Sequence, residues 1–159
     1  GRDFEKKKNM RKAFEHSTIG YNYKFTEFQA AVGIAQMKKL EKRIRKKRKT
    51  YKKYLDLLSE INEIDFIQTD LEKITPWMVD ILLQSKAIRE KLIKHLEQRN
   101  IETRIFYPSI HKLKPYRQYD SKFKISSNIS NRGLWLPSSV TLTDHDVKTV
   151  CDAMKNFFN

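Results

Sequence analysis

The 159-residue sequence contains little of several residue types that mark common classes of protein. A single cysteine, Cys151, excludes a disulfide within the chain, and its position in an apolar helical stripe favours a buried thiol. Four scattered glycines leave no glycine-rich phosphate loop. The histidines His16, His95 and His145 have no spacing with cysteine or acidic residues that suggests a metal site, so we expect no bound metal.

Long apolar runs are also missing. No stretch approaches the ~20 apolar residues that a transmembrane helix needs, and the N-terminal residues lack the apolar core of a signal peptide. We therefore expect a soluble, cytoplasmic protein without a membrane partner. The 39% of hydrophobic residues and 11% of aromatic residues favour one folded domain over a disordered tail.

Acidic residues are outnumbered by basic ones, 19 against 33, which gives a formal net charge of +14. Residues 38–53 hold eleven Lys or Arg residues and one acid, Glu41. The excess can mean a solvated helix face, a surface that attracts negatively charged small molecules or an anionic membrane, or a nucleic-acid site. No known nucleic-acid-binding module is present, so binding to nucleic acid is the least favoured of these interpretations.

The segment 19–58 organises the chain. Thr26 and Gln29 have the spacing of a capping box, which marks the start of a helix. An apolar stripe at helical spacing then predicts one continuous helix within residues 25–60, roughly 50 Å long and able to bridge two bodies. The stripe consists of Phe28, Val32, Ala35, Leu40, Ile44, Tyr51, Leu55 and Leu58.

The rest of the chain, residues 61–159, alternates between strand and helix patterns. Ser85 is placed to cap a helix that ends near Asn100, and Asp144 begins a last helix. We expect strands at 64–68, 77–83, 101–106 and 134–136, and a long polar loop at 107–132 with at most one helical turn. These elements predict a small α/β domain with a mostly antiparallel sheet of three or four strands, covered by helices on one face.

Three blocks of this sequence resemble, in the same order, segments of one enzyme family. They are GYNYKFTEFQAAVGIAQMKKL at 20–40, IETRIFYPSIHKLKPY at 101–116 and GLWLPSSVTLTDHDV at 133–147. The family is the DegT/DnrJ/EryC1/StrS group of sugar aminotransferases, which use pyridoxal 5′-phosphate. The resemblance implies the C-terminal part of a fold type I aminotransferase: the end of the large cofactor domain and a phosphate-contact loop at 1–24, a bridging helix at 25–60, and the small domain at 61–159.

The resemblance also implies roles for individual residues. Asn22 matches an asparagine that contacts the cofactor phosphate of the neighbouring subunit, although the sequence alone favours a turn cap. Lys24 stands where the family has arginine, so it keeps the charge and loses the bidentate geometry. Arg104, Tyr107 and His111 fall in the substrate-side block. Arg104 is expected to contact a phosphate or carboxylate, with a strand-edge salt bridge as the alternative, and His111 is expected to lie near the sugar.

The activity implied by the resemblance is the transfer of an amino group from an amino acid such as glutamate to a nucleotide-linked keto sugar. Pyridoxal 5′-phosphate would be bound across a homodimer interface formed by the Asn22 loop and the long helix. The lysine that forms the Schiff base is expected to lie outside this chain, which would then be inactive alone and carry no catalytic residue. Two alternatives stay open, a non-catalytic interaction or dimerisation module and a basic nucleic-acid-binding domain.

Overall fold

Two helices, α1 (Glu27–Met37) and α2 (Leu40–Leu58), occupy the range in which one continuous helix was expected. The structure is a computed structural model that describes Ile19 and residues 25–159. The predicted capping box is confirmed: the Gln29 N–H donates to Thr26 Oγ1 at 3.3 Å, and the Thr26 N–H donates to Gln29 Oε1 at 2.7 Å.

The backbone tightens at Lys38 and Lys39, between the two helices. The Lys39 N–H donates to the carbonyl of Gln36, three residues back, at 3.0 Å. Cations four residues apart, such as Lys38 and Lys42 or Lys39 and Arg43, repel each other in a regular helix. The Arg43 guanidinium donates instead to the Gln36 side-chain oxygen across the break. The expected rod is therefore divided at the start of the basic segment.

Four strands form one antiparallel sheet in the order β1-β2-β4-β3. Asp80 lies opposite Trp135, and Arg104 is the partner of Trp135 on its other side. This sheet confirms the predicted fold class, although three of the strands are shorter than expected. The strands are β1 (Ile64–Phe66), β2 (Val79–Leu83), β3 (Arg104–Ile105) and β4 (Gly133–Leu136).

One face of the sheet packs against the helices and forms one side of the hydrophobic core. Alternate residues of β2 and most of β4 are buried, and α2, α3 (Lys86–Glu97) and α5 (Asp144–Phe158) supply the facing side chains. Because side chains alternate along a strand, Asp80 and Trp135 project from the opposite face and are half-buried. The largest fully buried side chains are Tyr54, Leu58, Ile81, Leu83, Leu92, Leu96, Leu134, Leu136 and Met154.

The predicted helix ends of the small domain are confirmed. The Ile88 N–H donates to Ser85 Oγ at 3.2 Å, and Asn100 follows α3 with a left-handed φ of 58°. Thr143 and Asp146 form a second capping box at the start of α5. Cys151 is buried in α5, as its place in the apolar stripe predicted.

Residues 107–132 contain more structure than the expected loop. A helix, α4 (Lys124–Arg132), forms although serine and asparagine make up much of it and are poor helix formers. Tertiary hydrogen bonds hold it: Arg89 Nη1 donates to the Ser130 carbonyl and Arg132 Nη1 to the Leu83 carbonyl, both at 3.1 Å. Three short 3-10 turns precede α4, at Ile110–Lys112, Lys114–Tyr116 and Asp120–Lys122.

The basic segment lies mainly along α2. Lys49 and Lys53 form ion pairs with Asp144 at the start of α5, at 2.9 and 3.6 Å. Lys47 is different, because its ammonium donates to the carbonyls of Trp77 and Ser138 at 2.5 and 2.6 Å. Burial lowers the pKa of Lys47. In the part of the chain that the structure describes, no helix is both long and apolar enough to cross a membrane.

Candidate functional site

Arg104 and Tyr107, two of the predicted substrate residues, lie together at the β3 edge of the sheet. The guanidinium carbon of Arg104 is 5.6 Å from the centroid of the Tyr107 ring, within the range of a cation–π contact. The Tyr107 ring meets Trp135 edge-on, with 5.0 Å between centroids. The short β3 strand thus presents a cation and a phenol on one aromatic support.

Trp135 is the centre of that support. Its indole Nε1 donates to Asp80 Oδ1 at 2.5 Å, and its ring lies 5.0 Å from Phe106 and 6.4 Å from Trp77. Burial raises the pKa of Asp80, and the hydrogen bond from Trp135 opposes this shift. Trp135 was not predicted as a site residue. The alternation in GLWL, which separates Trp135 from the buried Leu134 and Leu136, is the sequence signal that points to it.

His111, the third predicted substrate residue, lies in a second cluster and is only 6% exposed. Its Nε2 is 2.6 Å from Asp120 Oδ1 and 3.1 Å from Ser127 Oγ. Its ring stacks on Phe123 with 4.7 Å between centroids and 19° between planes. His111 was expected to be a loop histidine near the sugar, and no role was predicted for Asp120, Phe123 or Ser127.

The carboxylate of Asp120 is the charged member of this second cluster. The hydrogen bond from His111 is the main cause that lowers the pKa of Asp120, and the Ser127 hydroxyl adds to it. Lys112 Nζ lies 3.4 Å from Asp120 Oδ2 and acts in the same direction. Asp120 is therefore ionised at neutral pH and can only accept hydrogen bonds.

One cavity of about 970 Å³ connects the two clusters. Tyr107 and Trp135 line it on the β3 edge, while Phe123, on which the His111 ring stacks, lines it from the other cluster. Its walls combine aromatic rings with the serines of α4, which suits a ligand that has both apolar faces and hydroxyl groups. Among the described residues, no three acidic, histidine or cysteine side chains are placed to bind a metal ion.

Asn22 and Lys24, the predicted cofactor residues, lie outside the described residues. The structure therefore brings Arg104 and Tyr107 together, places His111 in a separate cluster, and shows neither cofactor contact. What it offers chemically is a guanidinium for a phosphate or carboxylate, an aromatic support, and an oriented imidazole.

Comparisons with known proteins give a consistent result. The family model described as the DegT/DnrJ/EryC1/StrS aminotransferase family matches residues 2–155 of this chain. GDP-perosamine synthase of Escherichia coli O157:H7 is 32% identical over 151 residues, which are 94% of this chain and 41% of that protein. The dTDP-4-dehydro-2,3,6-trideoxy-D-glucose 4-aminotransferase of Saccharopolyspora spinosa is 29% identical over 136 residues, covering 84% of this chain and 35% of the relative.

Solved structures resemble the fold. PseC of Helicobacter pylori, an aminotransferase involved in the biosynthesis of pseudoaminic acid, superposes with a TM-score of 0.71 at 20% identity, covering 91% of this chain and 40% of PseC. The sugar aminotransferase CalS13 of Micromonospora echinospora gives a TM-score of 0.70 at 18% identity, covering 86% of this chain and 37% of CalS13. At these identities the likeness establishes the fold alone.

Proposed function

Because this chain belongs to the DegT/DnrJ/EryC1/StrS aminotransferase family, we propose that it is the C-terminal part of a pyridoxal-phosphate-dependent sugar aminotransferase. The complete enzyme would move an amino group from glutamate or a similar amino acid to a nucleotide-linked keto sugar. The family match over residues 2–155 carries this proposal, and relatives whose names join a nucleoside diphosphate to a sugar support it. The chain spans 41% of the length of the Escherichia coli relative, and we propose the activity for a protein of that relative's length.

We assign Arg104 and Tyr107 to the substrate side of this site. A guanidinium can hold a phosphate through two parallel N–H bonds, and the Tyr107 ring beneath it limits its movement. Trp135 would fix the position of Tyr107, since the Asp80 carboxylate anchors the indole. His111 stacks on Phe123, which lines the connecting cavity, and would contact the part of the sugar that extends past that ring.

Pyridoxal 5′-phosphate supplies the electron sink for amino transfer when it is bound. We propose that Asn22 and Lys24 hold its phosphate, and that they do so in the neighbouring subunit of a homodimer. The proposal for these two residues rests on the family motif alone, because no geometry is described for them. Arg104, Tyr107 and His111 would bind and orient the sugar, and they would take no part in the electron movements of the reaction.

The full-length protein tests the activity directly. We expect it, loaded with pyridoxal 5′-phosphate, to form 2-oxoglutarate from glutamate only when a nucleotide-linked keto sugar is supplied. GDP-, UDP- and dTDP-linked keto sugars would be compared, with a nucleotide that carries no sugar as the control. A folded, cofactor-loaded protein that transfers no amino group to any of the three would refute the proposed function.

Asn22→Ala tests the cofactor contact and its position in the dimer. We expect weaker retention of the cofactor at unchanged thermal stability, by about tenfold for one lost hydrogen bond to a charged group. Mixed dimers of this variant and a variant without the cofactor-binding lysine should regain one complete site if Asn22 acts on the partner. Mixed dimers without such recovery would place the contact within its own subunit, and unchanged cofactor retention would remove Asn22 from the site.

A further inference from the structure

Three neighbours hold the His111 ring, two of them through the same nitrogen. Nε2 lies 2.6 Å from Asp120 Oδ1 and 3.1 Å from Ser127 Oγ, and the flat contact with Phe123 fixes the plane of the ring. The Ser127 hydroxyl also lies 2.8 Å from Asp120 Oδ1 and donates to it. The imidazole, the carboxylate and the hydroxyl therefore each lie within hydrogen-bond distance of the other two.

The donor and acceptor directions of these three hydrogen bonds determine which nitrogen of His111 carries the proton. The Asp120 carboxylate can only accept hydrogen bonds. The Ser127 hydroxyl has one hydrogen, which it gives to Asp120, so at His111 it can only accept. Both neighbours of Nε2 are acceptors, and the proton must therefore lie on Nε2. In the neutral ring Nδ1 is then left as a hydrogen-bond acceptor.

In this tautomer, Nδ1 can accept a hydrogen bond from a ligand. In the part of the chain that the structure describes, no hydrogen bond reaches Nδ1, whereas Nε2 has two partners. His111 is also a lining residue of two cavities, of about 670 and 320 Å³, although it is only 6% exposed. An acceptor without a protein partner, on a residue that lines a cavity, is suited to a hydroxyl donor.

We propose that Asp120 is a positioning residue that fixes the His111 ring so that Nδ1 accepts a hydrogen bond from a hydroxyl group of the sugar substrate. This inference rests on the proposed function. Ser127 assists by accepting from the same Nε2–H, and Phe123 keeps the ring from tilting. Neither Asp120 nor Ser127 touches the substrate in this arrangement.

The pair His111→Asn and His111→Gln separates the two nitrogens. An asparagine amide reaches about as far as Nδ1, while a glutamine amide reaches about as far as Nε2. In the full-length, cofactor-loaded enzyme we expect His111→Asn, which keeps an acceptor near the position of Nδ1 but loses the contact with Asp120, to raise KM for the nucleotide sugar only a few-fold. We expect His111→Gln, which can still reach Asp120, to raise KM about tenfold, the size of one lost hydrogen bond, with little change in kcat. The reverse order of the two variants would overturn the assignment of Nδ1.

A second pair of variants tests the positioning by Asp120 separately. Asp120→Asn keeps an oxygen that can accept from Nε2–H, whereas Asp120→Ala removes it. A proton held between an imidazole and a carboxylate gives a far-downfield proton NMR signal, which we expect in the wild type, moved upfield toward the ordinary imidazole N–H range in Asp120→Asn, and absent in Asp120→Ala. Asp120→Ala should also raise KM several-fold. The control is Asp70→Ala, which removes an exposed carboxylate paired with Lys73 and should change neither readout.

The outcomes distinguish this inference from the proposed function. A wild-type enzyme that transfers amino groups, combined with an unchanged NMR signal or an unchanged KM in Asp120→Ala, refutes the positioning role and leaves the function intact. A wild-type protein that shows the signal and loses it in Asp120→Ala, but transfers no amino group to any nucleotide sugar, refutes the function and with it the assigned use of Nδ1.

Discussion

Gly133→Ala is expected to destabilise the small domain through one steric contact. Gly133 is buried at the start of β4, and its φ of −74° and ψ of 140° are open to any residue, so backbone strain is not the cause. An added Cβ would lie 2.2 Å from Cδ2 and 2.3 Å from Cγ of Phe106. Carbon atoms in contact lie about 3.5 Å apart or more, so the ring would have to retreat by more than about 1 Å.

The Phe106 ring has little freedom to retreat. The clash is with the base of the ring and not with its tip, and the backbone N–H of Phe106 is tied to the Gly133 carbonyl at 3.3 Å. The ring also packs against Trp135, with 5.0 Å between centroids. Overpacking of this kind costs about 1–3 kcal/mol of unfolding free energy. Because the displaced ring leans on Trp135, the support of Tyr107 should shift as well.

Urea unfolding followed by tryptophan fluorescence measures this effect, since Trp77 and Trp135 both lie beside the contact. The matched control is Gly33→Ala in α1, where an added Cβ meets no atom within 4 Å and helix propensity should rise. In the double variant with Phe106→Ala, the cost of Gly133→Ala should largely disappear. Wild-type stability of Gly133→Ala, or strict additivity with Phe106→Ala, would refute the steric explanation.

Four further predictions concern the core and the helix ends. Thr143→Ala should lower the unfolding free energy by about 1 kcal/mol through loss of the α5 cap, measured in urea. Hydrogen bonds from the Thr143 backbone and hydroxyl lower the pKa of Asp146. The ionised carboxylate therefore stabilises the folded state above a pH of about 4, and this contribution is lost as the pH falls through the folded-state pKa. Asp146→Asn should make the unfolding free energy depend less on pH in the acid range. Burial raises the pKa of Cys151 to about 12, and we expect no reaction with a thiol reagent at pH 8 until urea unfolds the chain. Lys47→Met should cost about 1–3 kcal/mol, because the carbonyls bound by the ammonium lose their donor, whereas the exposed Lys52→Met should cost little.

The parts of the fold that local sequence determines were predictable. The caps at Thr26, Ser85 and Thr143 involve groups three residues apart, and Asn100 adopts its left-handed conformation immediately after α3. The strong strand formers of residues 77–83 also predicted a strand, of which Val79–Leu83 forms β2. These signals need no information from distant residues, and together they were sufficient for the fold class.

The parts that depend on distant residues were not predictable. Helix α4 exists because Arg89, 41 residues before Ser130, donates to the Ser130 carbonyl. The burial of His111 depends on Asp120 and Ser127, and no local pattern marks either as its partner. The site was therefore identified through a motif that places three residues in one block, while the structure divides them between two clusters. Their assignment to substrate binding stays a prediction.

The apolar stripe predicted within residues 19–58 is partly buried on one of the two helices and exposed on the other. On α2 the stripe reaches the core through Tyr51 and Leu58, which are 2% and 1% exposed, whereas Leu40 and Leu55 stay exposed. On α1 the same pattern leaves Phe28 79% exposed, and no residue of this helix is buried among the described residues. A helix of eleven residues is marginal in water without packing, so α1 needs a surface that the small domain does not supply. The break at Lys38 and Lys39 thus separates a helix that belongs to the small-domain core from one whose apolar face points away from it, which is the arrangement expected if the segment bridges two bodies.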